Sequence, residues 1–160
     1  PELRFAAKFY KSSSTYKKTL FNMQPNETVT VGQLAGDFTL PSDQTKELIL
    51  IAGGIGITPF ISMLKYAIDT NQARKTTLFY LVGDETEVAY KDVLTKAVNL
   101  GYKIVPMTTR LTAQIIAKEV PNYKSTVCYI SGPDAMVANY KSLLKTIGVH
   151  RVKTDYFSGY

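Results

Sequence analysis

From Glu47 onward, short apolar runs alternate with stretches of helical spacing, and this alternation constrains the fold more than any other feature of the chain. Leu48-Ile49-Leu50-Ile51-Ala52 is continuously apolar, as a strand buried on both faces must be. A helix is expected from Pro59 to Asn71, a strand from Thr76 to Val82 and a second helix from Glu87 to Asn99. A strand at Lys103 to Met107, a short helix at Thr112 to Lys118 and a strand at Thr126 to Ser131 follow. The pattern closes with a helix from Asp134 to Ile147 and a strand from Val149 to Tyr156. Strands separated by helices at this spacing predict an α/β fold: a five-stranded parallel sheet with right-handed crossovers, flanked by helices. The chain has 160 residues and is 45% hydrophobic, enough to bury such a core without covalent staples.

Residues 1–45 read differently, as β-rich with a single helix. Leu3 to Tyr10 partly alternates apolar and polar residues, like a strand. Ser12-Ser13-Ser14-Thr15 is a cluster of helix-capping residues, and Tyr16, Leu20, Phe21 and Met23 follow at helical spacing until Pro25-Asn26. Thr28 to Leu34 reads as another strand and Gly36-Asp37-Phe38 as a turn. The expected division is therefore 1–45 and 46–160.

Several chemistries are excluded. Cys128 is the one cysteine, so the chain closes no internal disulfide and holds no cysteine-ligated cluster. His150 is the one histidine, and no metal site is expected. No Gly-x-Ser-x-Gly elbow is present. The net charge of +6, with Arg4, Lys8, Lys11, Lys17 and Lys18 near the start, suits an acidic redox partner or a merely solvated surface. No nucleic-acid-binding motif accompanies it, so no nucleic acid is expected. No apolar run could span a bilayer, and the lack of disulfides fits a reduced, cytoplasmic setting. The start at Pro1 suggests a processed or cut chain.

The segment richest in chemistry is Ala52-Gly53-Gly54-Ile55-Gly56-Ile57-Thr58-Pro59-Phe60, between a buried strand and a helix. Glycines allow left-handed angles and close approach to a ligand. Thr58 suits an N-cap and Pro59 the first helical turn. The helix start then offers free N–H groups and positive dipole charge, which suit a pyrophosphate. The spacing matches only the first half of the usual dinucleotide fingerprint, since Pro59 stands where a third glycine would be. It is not a Walker A loop.

The same string resembles the Gly-Gly-x-Gly-Ile-Thr-Pro motif of the ferredoxin–NADP reductase family, and three further segments match in order. Phe79-Tyr80-Leu81-Val82-Gly83 resembles that family's second strand, which ends beside the adenosine ribose. Tyr129-Ile130-Ser131-Gly132-Pro133-Asp134-Ala135-Met136 resembles its Cys-Gly-Pro-x-x-Met segment beside the nicotinamide, with Ser131 in place of cysteine. Phe157-Ser158-Gly159-Tyr160 resembles the Phe-x-Gly-Tyr ending of one bacterial branch. Gly36-Asp37-Phe38-Thr39-Leu40-Pro41 resembles the segment that closes the family's flavin-binding barrel.

The resemblance implies a Rossmann-like sheet preceded by a β-rich remnant of that barrel. Its implied activity is that of an FAD-dependent NAD(P)H oxidoreductase, passing hydride from nicotinamide to FAD and electrons to a separate acceptor such as ferredoxin. The implied nucleotide-binding residues are Gly53, Gly54, Gly56, Thr58, Pro59, Gly83, Asp84, Arg110, Gly132, Pro133 and Met136. Thr58, Ser131 and Tyr160 would lie at the reacting atoms, with Phe157 beside the flavin ring. Ser13 and Ser14 would hold the FAD pyrophosphate, or only cap a helix. Arg110 would reach a phosphate or cap the next helix. Phe157 and Tyr160 would cover the flavin or pack the last strand. Asp84 favours NADH over NADPH, because a carboxylate accepts from a 2′-hydroxyl and repels a 2′-phosphate, or Asp84 and Glu85 are only favourable acidic residues at a helix N-terminus. The barrel's flavin-ring motif is missing, which leaves an alternative: a flavin-free module that binds nicotinamide nucleotide without turnover.

Overall fold

The structure is a computed structural model that describes residues 6, 7, 9, 13–32 and 36–157. It forms two units, residues 1–37 and 38–160. The second is a five-stranded, wholly parallel sheet in the order β3-β2-β1-β4-β5. Its strands are β1 (Leu48–Gly53), β2 (Thr76–Leu81), β3 (Lys103–Met107), β4 (Val127–Gly132) and β5 (Val152–Tyr156). With α1 (Thr15–Asn22) lying in the first unit, the helices of the second are α2 (Thr58–Asp69), α3 (Lys91–Asn99), α4 (Ala113–Glu119) and α5 (Asp134–Thr146).

The apolar run of β1 takes the centre of the sheet, and every residue of it is buried. Side chains alternate between faces with period two. Leu48, Leu50 and Ala52 join Leu78, Tyr80 and Tyr129 under Phe60 and Leu64 of α2 and Val93, Leu94 and Ala97 of α3. Ile49 and Ile51 join Phe79, Cys128 and Ile130 under Ile116 of α4 and Val137, Tyr140 and Leu144 of α5. Each fully buried Leu or Ile contributes about 1.5–3 kcal/mol, several times the worth of any exposed ion pair here. The expected parallel sheet is therefore built by its doubly covered central strand.

Two boundaries shift for local reasons. The helix expected from Glu87 begins at Lys91, because Tyr90 takes a left-handed φ of 57° and a short 3-10 turn occupies Glu85–Glu87. The strand expected from Val149 begins at Val152. Gly148 (φ 85°) and Val149 close α5 instead, donating to the carbonyls of Lys145 (3.1 Å) and Leu144 (2.8 Å).

In the first unit, the described residues contain α1 and no strand. The β-rich reading of 1–45 is thus not seen among them: 28–32 lacks a ladder, with Val29 and Val31 exposed, and Leu34 and most of Leu3–Tyr10 lie outside the described residues. Extended chain without a hydrogen-bonding neighbour is not a strand, whatever its β-propensity. The stretch 38–41 is part of the second unit. Phe38 contacts the rings of Phe60 and Tyr129, the Tyr129 hydroxyl donates to the Thr39 carbonyl (2.8 Å), and Arg74 donates to the Pro41 carbonyl (3.0 Å).

Cys128 lies in β4 with no exposed surface, and burial pushes its thiol pKa strongly up. A thiol reagent should leave the folded chain unmodified and label one equivalent after denaturation. Rapid labelling under native conditions would contradict this burial.

Candidate functional site

The chain reverses direction across the sheet between β1 and β4. Crossovers from β1 run towards β3, and the return from β3 places β4 on the other side of β1. In such sheets the carboxyl ends of the two central strands open a crevice where ligands bind. Here that crevice is formed by two glycine turns pressed together. A Cβ on Gly56 would lie 2.2 Å from the Ser131 carbonyl oxygen and 2.7 Å from Gly132 Cα, so only glycine lets the β1 turn nest on the β4 turn. Met136 lies over Gly53, whose added Cβ would meet its sulfur at 2.2 Å.

Gly54 has φ 51° with open space around its Cβ position, and it turns the strand directly into a 3-10 turn, Gly54–Ile57, that continues into α2. The expected N-cap role of Thr58 is therefore incorrect. Thr58 is already helical (φ −59°, ψ −45°), and its hydroxyl donates to the Ile55 carbonyl at 3.1 Å. The left-handed glycine makes a capping side chain at Thr58 unnecessary. It moves the unbonded first-turn amides back to the glycines themselves. Pro59 stands in the first turn of α2, as expected.

The loop after β2 carries Gly83 and Asp84, both exposed. The Asp84 carboxylate accepts from the Thr86 amide (2.8 Å) and hydroxyl (2.6 Å), capping the Glu85–Glu87 turn. Those two bonds hold its pKa below the ordinary carboxylate value. Glu87, which no motif singles out, accepts from the Gly83 amide at 3.3 Å and closes the loop on itself. An acidic residue four positions after a strand-ending glycine was the available signal. The neighbouring β3 loop holds Arg110, exposed, while Thr112 caps α4 by accepting from the Ile115 amide. The Val82 amide bonds the Met107 carbonyl (2.9 Å), which keeps the two loops side by side.

Ser131, the penultimate residue of β4, pairs with Ala52 and is fully buried, its hydroxyl without a hydrogen-bond partner. It lies behind Gly56 rather than on an exposed surface. A buried orphan hydroxyl costs about 1–3 kcal/mol, a penalty tolerated here beside the crevice. Pro133 is exposed and Met136 half-buried at the start of α5. Phe157 is brought to the same place by its amide, which donates to the Gly132 carbonyl at 3.1 Å. Tyr160, with Ser158 and Gly159, lies outside the described residues.

Glycine turns, first-turn amides, a carboxylate and an arginine thus line one end of one sheet. This donor set fits a dinucleotide: amides and guanidinium for phosphates, a carboxylate for a ribose, and a Gly-Pro-Met wall for an uncharged ring. In the first unit, Ser14 caps α1 by accepting from the Lys17 amide at 3.4 Å, and Ser13 is half-buried. A hydroxyl that accepts at a cap can still donate, so Ser14 fits a phosphate. Ser12 is outside the described residues.

A family model described as the oxidoreductase NAD-binding domain matches residues 50–142. The chain is 29% identical over 139 residues to the oxidoreductase NAD-binding domain-containing protein 1 of Bos taurus, covering 69% of this chain and 45% of that one. It is 28% identical over 158 residues to the flavohemoprotein of Rhodopirellula baltica, covering 84% of this chain and 38% of the relative. The chain spans less than half of each of these relatives. Among solved structures, the flavohemoglobin of Malassezia yamatoensis, with bound FAD and heme, superposes with a TM-score of 0.75 at 20% identity, over 95% of this chain and 43% of that one. A ferredoxin–NADP+ reductase of Neisseria gonorrhoeae, with bound FAD and NADP, gives a TM-score of 0.60 at 20% identity, over 76% of this chain and 61% of that one.

Proposed function

The chain belongs to the oxidoreductase NAD-binding domain family, and from that premise we propose that it binds NADH across the β1–β4 crevice and presents the nicotinamide to an FAD. The observation that carries this reading is the nesting of Gly56 on Ser131 and Gly132, which sets two glycine turns at the switch point. The free amides at the start of the turn, those of Gly54 and Ile55, receive the pyrophosphate, and Gly56 holds the turn against β4. Gly83 lets the ribose approach, Asp84 accepts from its hydroxyls, and Arg110 reaches a phosphate. Gly53, Thr58, Pro59, Gly132, Pro133 and Met136 shape the nicotinamide pocket. Ser131 steadies the wall behind it, and Phe157 and Tyr160 border the flavin ring. Ser13 and Ser14 hold the FAD pyrophosphate at the α1 start. When bound, the nicotinamide and flavin would supply the redox chemistry, a hydride from the first reducing the second and electrons then leaving for an acceptor outside the chain. This chain's residues bind, orient and exclude water. Its positive charge suits an acidic acceptor such as ferredoxin.

A second reading is a nucleotide-binding module that holds no flavin. The exposed Val29 and Val31, without a strand ladder among the described residues of the first unit, favour it. One experiment separates them: mix the chain with FAD, desalt, record the visible spectrum, then add NADH or NADPH without oxygen. A retained flavin that bleaches faster with NADH supports the reductase. Flavin lost on desalting, with NADH binding still measurable by calorimetry, supports the module. No nucleotide binding in either experiment overturns both.

A further inference from the structure

The two edges of the sheet differ. On β3 the Met107 carbonyl bonds inward to Val82, so the alternate position Pro106 faces the open edge, where it has no N–H to donate. Proline there blocks addition of another strand. On β5 the Arg151 carbonyl accepts from Cys128 (2.8 Å), and the Phe157 amide donates to Gly132 (3.1 Å). These bonds place the odd positions inward, so the N–H and C=O groups of Val152, Thr154 and Tyr156 face outward. No strand pairs with them among the described residues. β5 contains no proline, and the Nζ of its one lysine, Lys153, is engaged with the Thr39 carbonyl at 3.3 Å.

A groove of about 530 Å³ lies between this edge strand and α5, with Lys141, Ser142, Lys145, His150, Val152 and Tyr156 in its walls. None of the described residues that line it carries a carboxylate. Between Asp134 and Asp155 the sequence has no acidic residue, but it has Lys141, Lys145, Arg151 and Lys153. Tyr156 is 47% exposed at the end of the strand.

We infer that the β5 edge and its groove receive an acidic, extended segment of a partner protein, which adds as a further strand and sets its carboxylates against Lys141 and Lys145. Main-chain bonds to an open edge supply affinity, and the alternate side chains of the added strand supply selectivity. A second copy of this chain is the poorer occupant, since it would bring the same positive edge to a positive edge. This surface is separate from the residues assigned to the nucleotide, and the inference stands without them.

The test uses a fluorescein-labelled peptide of about six residues, matched to the length of a strand, alternating valine with glutamate. Fluorescence anisotropy should show saturable binding to the whole chain. Joint Lys141→Glu and Lys145→Glu substitution should weaken it about tenfold. Methylating alternate backbone amides of the peptide should weaken it by about tenfold or more. Thr154→Pro should do the same from the protein side. The methylated peptide makes the same test on the unaltered protein, should that proline disturb the strand. Equal binding of the methylated peptide would show attraction by charge alone and overturn the inference. Equal binding of a valine–lysine peptide would also overturn it, as would a dimer by sedimentation that excludes the peptide.

Discussion

Gly56→Ala should lower the stability of the 38–160 unit by about 3 kcal/mol and its melting temperature by about 10 °C or more. The new Cβ would lie 2.2 Å from the Ser131 carbonyl oxygen, 2.4 Å from its carbon and 2.7 Å from Gly132 Cα. All three are backbone atoms of β4, which is hydrogen-bonded to β1 on one side and β5 on the other. Neither turn can yield without breaking a ladder. The neighbouring glycines give the internal controls. Gly53→Ala would meet the end of the Met136 side chain, which can swing away, and Gly53 has an ordinary φ of −115°. Gly54→Ala meets nothing within 4 Å but must hold φ 51°, at a cost of about 1–2 kcal/mol. The expected order of thermal stability is therefore wild type, then Gly53→Ala and Gly54→Ala, then Gly56→Ala well below. NADH affinity should fall furthest for Gly56→Ala, read by calorimetry at a temperature where each variant is folded. A Gly56→Ala chain that melts with the wild type would mean the two turns are not in contact.

Asp84→Ser should shift the ratio of NADH to NADPH dissociation constants towards NADPH by roughly 30-fold. Serine can still accept from the Thr86 amide, so the cap survives while the charge goes. The folded pKa of Asp84 lies below its ordinary 3.8, first because of the Thr86 hydroxyl and then the Thr86 amide. A depressed carboxylate contributes stability that is fully present above the ordinary value and is lost as pH falls through the folded one. At pH 5–8 the charge is therefore constant. Any pH dependence of the discrimination should come from the ligand, deepening as the 2′-phosphate of NADPH takes its second charge near pH ~6. A ratio unchanged within twofold would reduce Asp84 to the helix cap that its bonds to Thr86 already make it.

Much of the 38–160 unit was legible from periodicity. Leu48 to Ala52 can be apolar throughout only if both faces are covered, as in a parallel sheet flanked by helices, while its place at the centre comes from the strand order. The glycine run, Asp84 and Arg110 fall after successive strands, so a parallel sheet must gather them at one end. Other features depend on contacts distant in sequence. Thr58 has the composition of an N-cap, yet the left-handed Gly54 starts the helix earlier and turns its hydroxyl to Ile55. Ser131 reads as a strand-end hydroxyl, yet the arrival of Gly56 from β1 seals it from solvent. In residues 28–32, β-propensity suggests a strand, but propensity supplies no neighbour to bond with.

The order of hydrophobic and helical segments thus settles the parallel sheet and the end at which the chemistry collects, because burial on two faces and right-handed crossovers leave few other arrangements. Only the tertiary structure decided that Gly56 must be glycine for lack of room, that Asp84 is held by Thr86, and that β5 pairs with no further strand among the described residues while Pro106 blocks β3. Each of these depends on which atoms from distant parts of the chain come within a few ångströms, and local sequence does not encode that distance.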